Sequence, residues 1–404
     1  MEERPSFLRQ LPPEEKKRLA YIEGRDDLFE TKVFRIRGTF DVEGQKKEKK
    51  NVLVISRDPG SGNALVPVME LLQRDSAIAM DVVVDGRAEE ILQSKFKMED
   101  ITPKDMALGA DQALGTPDAL LIDSSTSERG IEMYAAATYP EIPSILVEDY
   151  YTASHGFLER LKERKLPYPR KICVLDSEAK NLIVKHFPEL EERIEITGQP
   201  AFDRFATENT TQIKMETRKE LGLRAEEKLV TFISAGTTIE LVKKVAEELK
   251  KVHTPFKLAF GIHPRDNTPP EAYENIFRDE GIAFINAENV GINKIGAASD
   301  IVVLIVSVEG LHAIYRGEPT MHITDSKFVV PQKDLDPPPP VKLGASIGLD
   351  DMNNFAATLD RLLDSESAEN RELRKHMKEN YPVDGKNAER VANLLKAEMA
   401  KGNT

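Results

Sequence analysis

A chain of 404 residues exceeds what one ordinary hydrophobic core organises, so two domains of roughly 200 residues each are expected. Its 69 acidic against 56 basic side chains leave a formal net charge of −13, which excludes a general nucleic-acid binder, since neutralising a phosphate backbone needs a basic surface. One cysteine, Cys173, excludes an intramolecular disulfide, and no run approaches the roughly 18 apolar residues of a membrane-spanning helix, so a soluble, cytoplasmic protein is expected.

Residues 1 to 50 are dense in charge, from "MEERPSFLRQLPPEEKKRLA" to "EGQKKEKK", and lack the apolar stretch of a signal peptide; a solvated, disordered arm is expected there. The first strong pattern is "NVLVISRDPGSGNALVPVMELLQRD", an apolar run at 52 to 55, a glycine turn at 60 to 62, then apolar residues at helical spacing. Strand and helix signals then alternate through "IAMDVVVDG", "DALLIDSS" with "ERGIEMYAAATY", "IPSILVEDYY", and "KICVLDS" with "EAKNLIVKHF". Such alternation predicts a parallel sheet covered on both faces. The texture changes after "IEITGQPAFDRF", which places a domain boundary near 200 and gives a first domain of 51 to 200. A second alternating series fills 201 to 380, through "KLVTFISAG", "FKLAFGIHPRD", "IAFINA", "DIVVLIVSVEGLHAIYRG" and "PTMHIT". Within it "KDLDPPPPVKLG" reads as a proline-stiffened loop without regular hydrogen bonding. Residues 381 to 404 contain "DGKNAERVANLLKAEM", an amphipathic helix expected to pack back across the interdomain junction. The fold class is therefore α/β, two doubly wound, Rossmann-like domains facing a central cleft.

Ligands of doubly wound sheets bind beyond the carboxyl ends of the strands, which makes strand-to-helix turns the first candidates. Gly60, Ser61 and Gly62 supply small residues before a helix, where backbone N–H groups can approach an anion; a tight turn with no ligand explains them equally well. Gly236 and Thr237 form a similar turn, in which Thr237 or Thr238 also suits the role of helix cap. His263 and Arg265 are stronger candidates, because both donate hydrogen bonds and Arg presents a planar fork to phosphate oxygens. Their alternative is a surface turn in which Arg265 pairs with Asp266. Ser307, Glu309 and Gly310 open a helix after a strand, with N–H groups aimed where an anion can sit, and His312 follows as either a ligand contact or a packed residue. Glu148, Asp149 and His155 lie near the end of another strand, where one of two adjacent carboxylates can have its pKa raised and serve as a base; solvated helix caps are the alternative. No metal signature is present, since thiolate clusters are impossible and the 7 histidines include no HxH or HxxxH pair. "GSGNAL" is not a P-loop, because no Lys-Ser or Lys-Thr follows it.

Taken in order, "GSGNALVPVMELL", "DALLIDSSTS", "IPSILVEDYY", "ITGQPAFDRF", "GIHPRD", "ASDIVVLIVSVEGLHAIYRGEPTMHI" and "DGKNAERVANLL" resemble the GT-B superfamily across about residues 51 to 397. That superfamily joins nucleotide-sugar glycosyltransferases, UDP-N-acetylglucosamine 2-epimerases and CDP-glycerol-type polymer transferases. The resemblance implies that the carboxyl-terminal domain holds a nucleotide whose diphosphate meets His263, Arg265 and Ser307. It also implies that Gly60 to Gly62 face donor or acceptor, and it sets Glu148 where the epimerases have a catalytic glutamate. Three departures accompany it, one being that the epimerases' glycine-rich turn followed by paired glutamates is absent. His312 stands where many members have a ribose-binding carboxylate, counted back from Gly317, and Ser125 stands where the epimerases have an aspartate.

The implied activity is transfer of a sugar or polyol-phosphate group from a nucleotide donor to a hydroxyl acceptor, in surface polysaccharide or glycoconjugate synthesis. It needs no metal or cofactor. Glu148, or else Asp149 or His155, takes the acceptor proton, and domain closure excludes water. The alternatives are a 2-epimerase-like isomerase and a non-catalytic protein that binds a nucleotide or a partner. Nothing in the sequence sets the oligomeric state.

Overall fold

The computed structural model describes residues 32–36, 49–84, 87–102, 116–124, 131–234, 237–262, 268–286, 290–330 and 332–401. Two compact units divide the chain, residues 1–203 with 386–404 forming the first and residues 204–385 the second.

The first unit runs β1 (Lys32–Ile36), β2 (Lys50–Ser56), α1 (Pro59–Gln73), β3 (Ile78–Val84), α2 (Ala88–Lys95), β4 (Met98–Asp100), β5 (Ala119–Asp123), α3 (Ile131–Thr138), β6 (Ser144–Val147), α4 (His155–Arg164), β7 (Lys171–Val174), α5 (Ser177–His186) and β8 (Ile194–Ile196). Its eight strands lie in the order β4-β1-β3-β2-β5-β6-β7-β8. From β3 to β8 every pair is parallel. Strands buried on both faces have no polar side to show, which is why β5 reads as an uninterrupted apolar run closed by Asp123. The chain steps outward from β2 to β3, then returns to add β5 on the other side of β2, so the switch point of this sheet lies between β2 and β5.

Inside the span expected as a solvated arm, β1 pairs antiparallel with β3 and with β4. Val33, Phe34 and Ile36 are buried while Arg35 reaches out to grip the buried Asp81 carboxylate at 2.8 and 3.1 Å. Three inward apolar residues suffice to hold a short strand whose flanks are charged.

The second unit runs α6 (Thr210–Glu220), β9 (Lys228–Ile233), α7 (Ile239–Leu249), β10 (Phe256–Gly261), α8 (Pro270–Asp279), β11 (Phe284–Asn286), α9 (Ile292–Ala298), β12 (Ile301–Leu304), α10 (Val308–Tyr315), β13 (Thr320–Ile323), α11 (Pro339–Lys342), β14 (Ile347–Leu349), α12 (Phe355–Leu363) and α13 (Ala368–Asn380). All six strands are parallel, in the order β11-β10-β9-β12-β13-β14. Numbered within the sheet this is the 3-2-1-4-5-6 order of a dinucleotide-type fold, with its switch point between β9 and β12. The proline run is not an unbonded loop. Pro338 is the N-cap of α11, and Pro339 and Pro340 open it, at positions whose amides have no partner inside a helix anyway.

The last helix, α14 (Asn387–Lys401), belongs to the first unit. Val391, Leu395 and Met399 enter the same core as Leu65, Met69 and Leu72 of α1. Its start is capped from far away in sequence, because the Asp203 carboxylate accepts from the amides of Asn387 at 2.9 Å and Ala388 at 2.8 Å.

Candidate active site

At the switch point of the first sheet the carboxyl ends of β2 and β5 are joined by polar side chains. Asp123, fully buried, accepts from Ser56 Oγ at 2.7 Å and from the Arg57 amide at 3.0 Å through one oxygen. Its other oxygen, Oδ1, has no partner, and burial pushes the carboxyl well above the usual carboxylate range. The next residue, Ser124, donates its hydroxyl to Asp149 Oδ1 at 3.0 Å and accepts from the Asp149 amide at 3.2 Å. Ser61 in turn donates to the Ser124 carbonyl.

The three small residues at 60 to 62 lie in the first turn of α1, after Pro59 has set the helical φ at its first position. A Cβ on Gly60 would stand 2.6 Å from Asp149 Oδ2, so a larger residue there would shift that carboxylate away from the helix start. Gly62 serves packing, since its Cβ would stand 3.3 Å from Ala88 Cβ in α2.

Glu148 follows directly on β6 and is buried. Its Oε1 accepts from Ser154 twice, at 2.7 Å from the hydroxyl and 3.2 Å from the amide, which diverts Ser154 from capping α4. Oε2 is buried with no partner. Burial pushes this carboxyl to about 8, against the pull of the Ser154 hydrogen bonds and with the neighbouring Asp149 charge adding to the rise. Asp149 is raised as well, chiefly by burial, and Gln199 holds its carbonyl at 2.7 Å. His155 opens α4 and packs its ring 5.2 Å from His186 and 6.1 Å from Phe187.

In the second unit Thr237 donates to the Ser234 carbonyl at 2.7 Å, and Thr238 is the cap of α7, accepting from the Leu241 amide at 3.2 Å. Ser307 caps α10 and accepts from the Glu309 amide at 3.3 Å. Gly310 lets this helix lie close over β12, because a Cβ there would stand 2.7 Å from Leu304 Cδ1. Behind it, His322 is buried with Nδ1 2.7 Å from Ser346 Oγ, and burial depresses its pKa to about 4. His312 sets Nδ1 3.1 Å from Glu309 Oε2 and Nε2 3.4 Å from Arg204 Nη2. A guanidinium only donates, so Nε2 is the acceptor in the contact with Arg204. Arg204 also stacks over Phe205 at 4.8 Å, beside Arg316 at 4.9 Å. Ser125, Gly236, His263 and Arg265 lie outside the described residues.

Sequence reading passed over Asp123, Glu132, Arg160 and Arg204. Glu132, on α3, is fully buried with both carboxylate oxygens unpartnered, and burial raises it to about 7. The only signal for Asp123 was its place as the polar end of an apolar run, while Glu132 reads as an ordinary acidic residue in a first helical turn. Together Asp123 Oδ1, Glu132 and Glu148 Oε2 give the first unit three buried carboxyl groups with open hydrogen-bonding positions, all with raised pKa. Of these, Glu132 and Glu148 lie where a carboxyl exchanges protons near neutral pH. Among the described residues no three His, Cys, Asp or Glu side chains are grouped to hold a metal ion, and no helix is long and apolar enough to cross a membrane. A cavity of about 370 Å³ lies elsewhere in this unit, bounded by Ser144, Tyr168 and Arg193; none of these carboxylates lines it.

No protein-family model matches the chain, and no curated protein matches it. Solved structures do. A UDP-GlcNAc 2-epimerase from Neisseria meningitidis, bound to UDP-GlcNAc, matches at 15% identity and TM-score 0.60 over 87% of this chain and 100% of that one. A glycosyltransferase from Rickettsia africae matches at 9% identity and TM-score 0.58 over 87% of this chain and 99% of that one. The wall teichoic acid polymerase TagF matches at 13% identity and TM-score 0.51 over 96% of this chain and 94% of that one. Identities this low speak for the fold alone, and all three relatives share one. The chain shares the two-domain fold of these GT-B structures.

Proposed function

We propose that the chain is a nucleotide-sugar enzyme that transfers a sugar or polyol-phosphate group from a nucleotide donor to a hydroxyl acceptor. The observation that carries this reading is Glu148, which ends a parallel strand with one oxygen fixed by Ser154 and the other buried and open. In its ionised form Oε2 takes the acceptor's hydroxyl proton as the acceptor oxygen bonds to the transferred group and the bond from that group to the nucleotide diphosphate breaks. The departing diphosphate carries the developing charge. Helix-start amides behind Ser307, together with His263 and Arg265, are assigned to it on the strength of the family resemblance and the fold of the second sheet.

A second reading, isomerisation of the sugar with Glu148 moving a ring proton, is favoured by the epimerase fold match at TM-score 0.60. It requires no acceptor and makes a product of inverted configuration. Calorimetric titration with UDP, CDP, GDP and CMP tests the shared premise. One nucleotide is expected to bind, and His263→Ala with Arg265→Ala is expected to abolish that binding. A chain that binds none of the four refutes the nucleotide-donor reading.

A further inference from the structure

The first turn of α1 has the build of an anion site, and one of the protein's own carboxylates already lies against it. Pro59 has no amide, and Gly62 donates to the Asp58 carbonyl at 2.8 Å, so the amides the helix itself leaves unengaged are those of Gly60 and Ser61. Open amides after a glycine turn ordinarily suit a phosphate. Asp58, the residue before the helix, makes no side-chain cap. The carboxylate beside the turn is instead that of Asp149, whose Oδ2 would stand 2.6 Å from a Cβ added to Gly60.

Hydrogen bonds fix Asp149 in this position. Ser124 donates its hydroxyl to Oδ1 at 3.0 Å and accepts from the Asp149 amide at 3.2 Å, while Gln199 donates to the Asp149 carbonyl at 2.7 Å. Ser61, in the same helical turn, donates to the Ser124 carbonyl. A carboxylate held at a helix start offsets the partial positive charge there, and Asp58 sets a second negative charge close to it. A phosphate arriving at this turn has to displace a tethered carboxylate and then face Asp58. The turns that open α7 and α10 in the second unit differ, because the neutral hydroxyls of Thr238 and Ser307 cap them.

We infer that Asp149 is a specificity-determining residue that closes the α1 turn to phosphate and other anions, so that the group admitted beside it is non-anionic. On the transferase reading that group is the acceptor, an alcohol with no phosphate next to its reacting hydroxyl. The exclusion of anions does not rest on that reading.

The test titrates the full chain with inorganic phosphate and follows the amide resonance of Gly60 in protein carrying isotope-labelled glycine. In the parent chain phosphate is expected to leave that resonance unmoved. Asp149→Ala vacates the turn, and Asp149→Asn removes the charge while keeping the shape. In these variants phosphate is expected to shift the resonance saturably, binding roughly tenfold or more tighter than in the parent. A saturable shift of comparable affinity in the parent overturns the inference, and that arm needs no substituted protein. A Gly60 resonance that phosphate leaves unmoved in both variants overturns it as well. These titrations contain no nucleotide, so a silent nucleotide panel leaves the exclusion standing, and a shift in the parent leaves the nucleotide result standing.

Discussion

Glu148 links the proposed chemistry to a measurable property of the fold. In the unfolded chain its carboxyl ionises near the ordinary 4.5, and in the folded chain near about 8. Between those values the folded form holds a proton that the unfolded form has lost, so unfolding releases it. The contribution is therefore fully present below about 4.5 and disappears as pH rises through about 8. It is on the order of 3 to 5 kcal/mol at full extent. Glu148→Gln cannot titrate, so its denaturant midpoint is expected to fall less than that of the parent chain between pH 5 and 8.5. Equal slopes in the two proteins contradict the burial argument. The same group predicts the direction of the activity profile. A base must be ionised, so kcat/KM is expected to rise toward a plateau with an apparent pKa near 8, and Glu148→Gln should abolish the reaction without unfolding the chain.

At the scale of elements, packing distances explain several small residues better than sequence did. Gly310 sits where α10 crosses Leu304, a fully buried side chain that an added Cβ would have to push aside. Overpacking of this kind costs about 1–3 kcal/mol, partly offset by the ~1 kcal/mol that alanine gains over glycine within a helix. Gly310→Ala is thus expected to destabilise the second unit by about 1 kcal/mol, read from its denaturant midpoint, whereas an increase in stability means that β12 yields. The parallel strands were legible because two-sided burial writes an unbroken apolar run such as "ALLID" into the sequence. β1 was not. Its three buried residues sit in a charged stretch, and its partner strand β3 begins 42 residues beyond Ile36. The same limit hid Glu132: a charged residue in a first helical turn is normally solvated, and only tertiary neighbours bury it. Glu148 was visible because it interrupts an apolar run at its carboxyl end.

Across the whole molecule, the first unit is assembled from two distant stretches. Asn387 and Ala388 bind Asp203, Asn387 Nδ2 donates to the Gln199 carbonyl at 3.0 Å, and Arg390 Nε donates to the Thr197 carbonyl at 2.8 Å. Gly198 adopts φ +77°, and a Cβ there would collide with the Asn387 side chain. Val391, Leu395 and Met399, all nearly inaccessible, each contribute about 1.5–3 kcal/mol of burial, a sum comparable with the ~5–15 kcal/mol net stability of a typical domain. A chain ending at residue 385 is therefore expected to lose the unfolding transition of the first unit while keeping that of the second. Two intact transitions in the shortened protein contradict this account. Asp203→Ala, which removes only the cap, is expected to cost about 0.5–2 kcal/mol.

The return of α14 has a consequence for synthesis. Domains ordinarily fold as they emerge, the first-made before the next. Here the earlier-translated unit lacks a wall of its core until residues 387–401 appear, while the segment 204–385 is already complete in sequence. At about 5–20 residues per second, that segment alone takes on the order of 10 to 40 s to make. Throughout that interval Leu65, Met69 and Leu72 have no α14 to cover them, so the nascent first unit is the part of the molecule most in need of a chaperone.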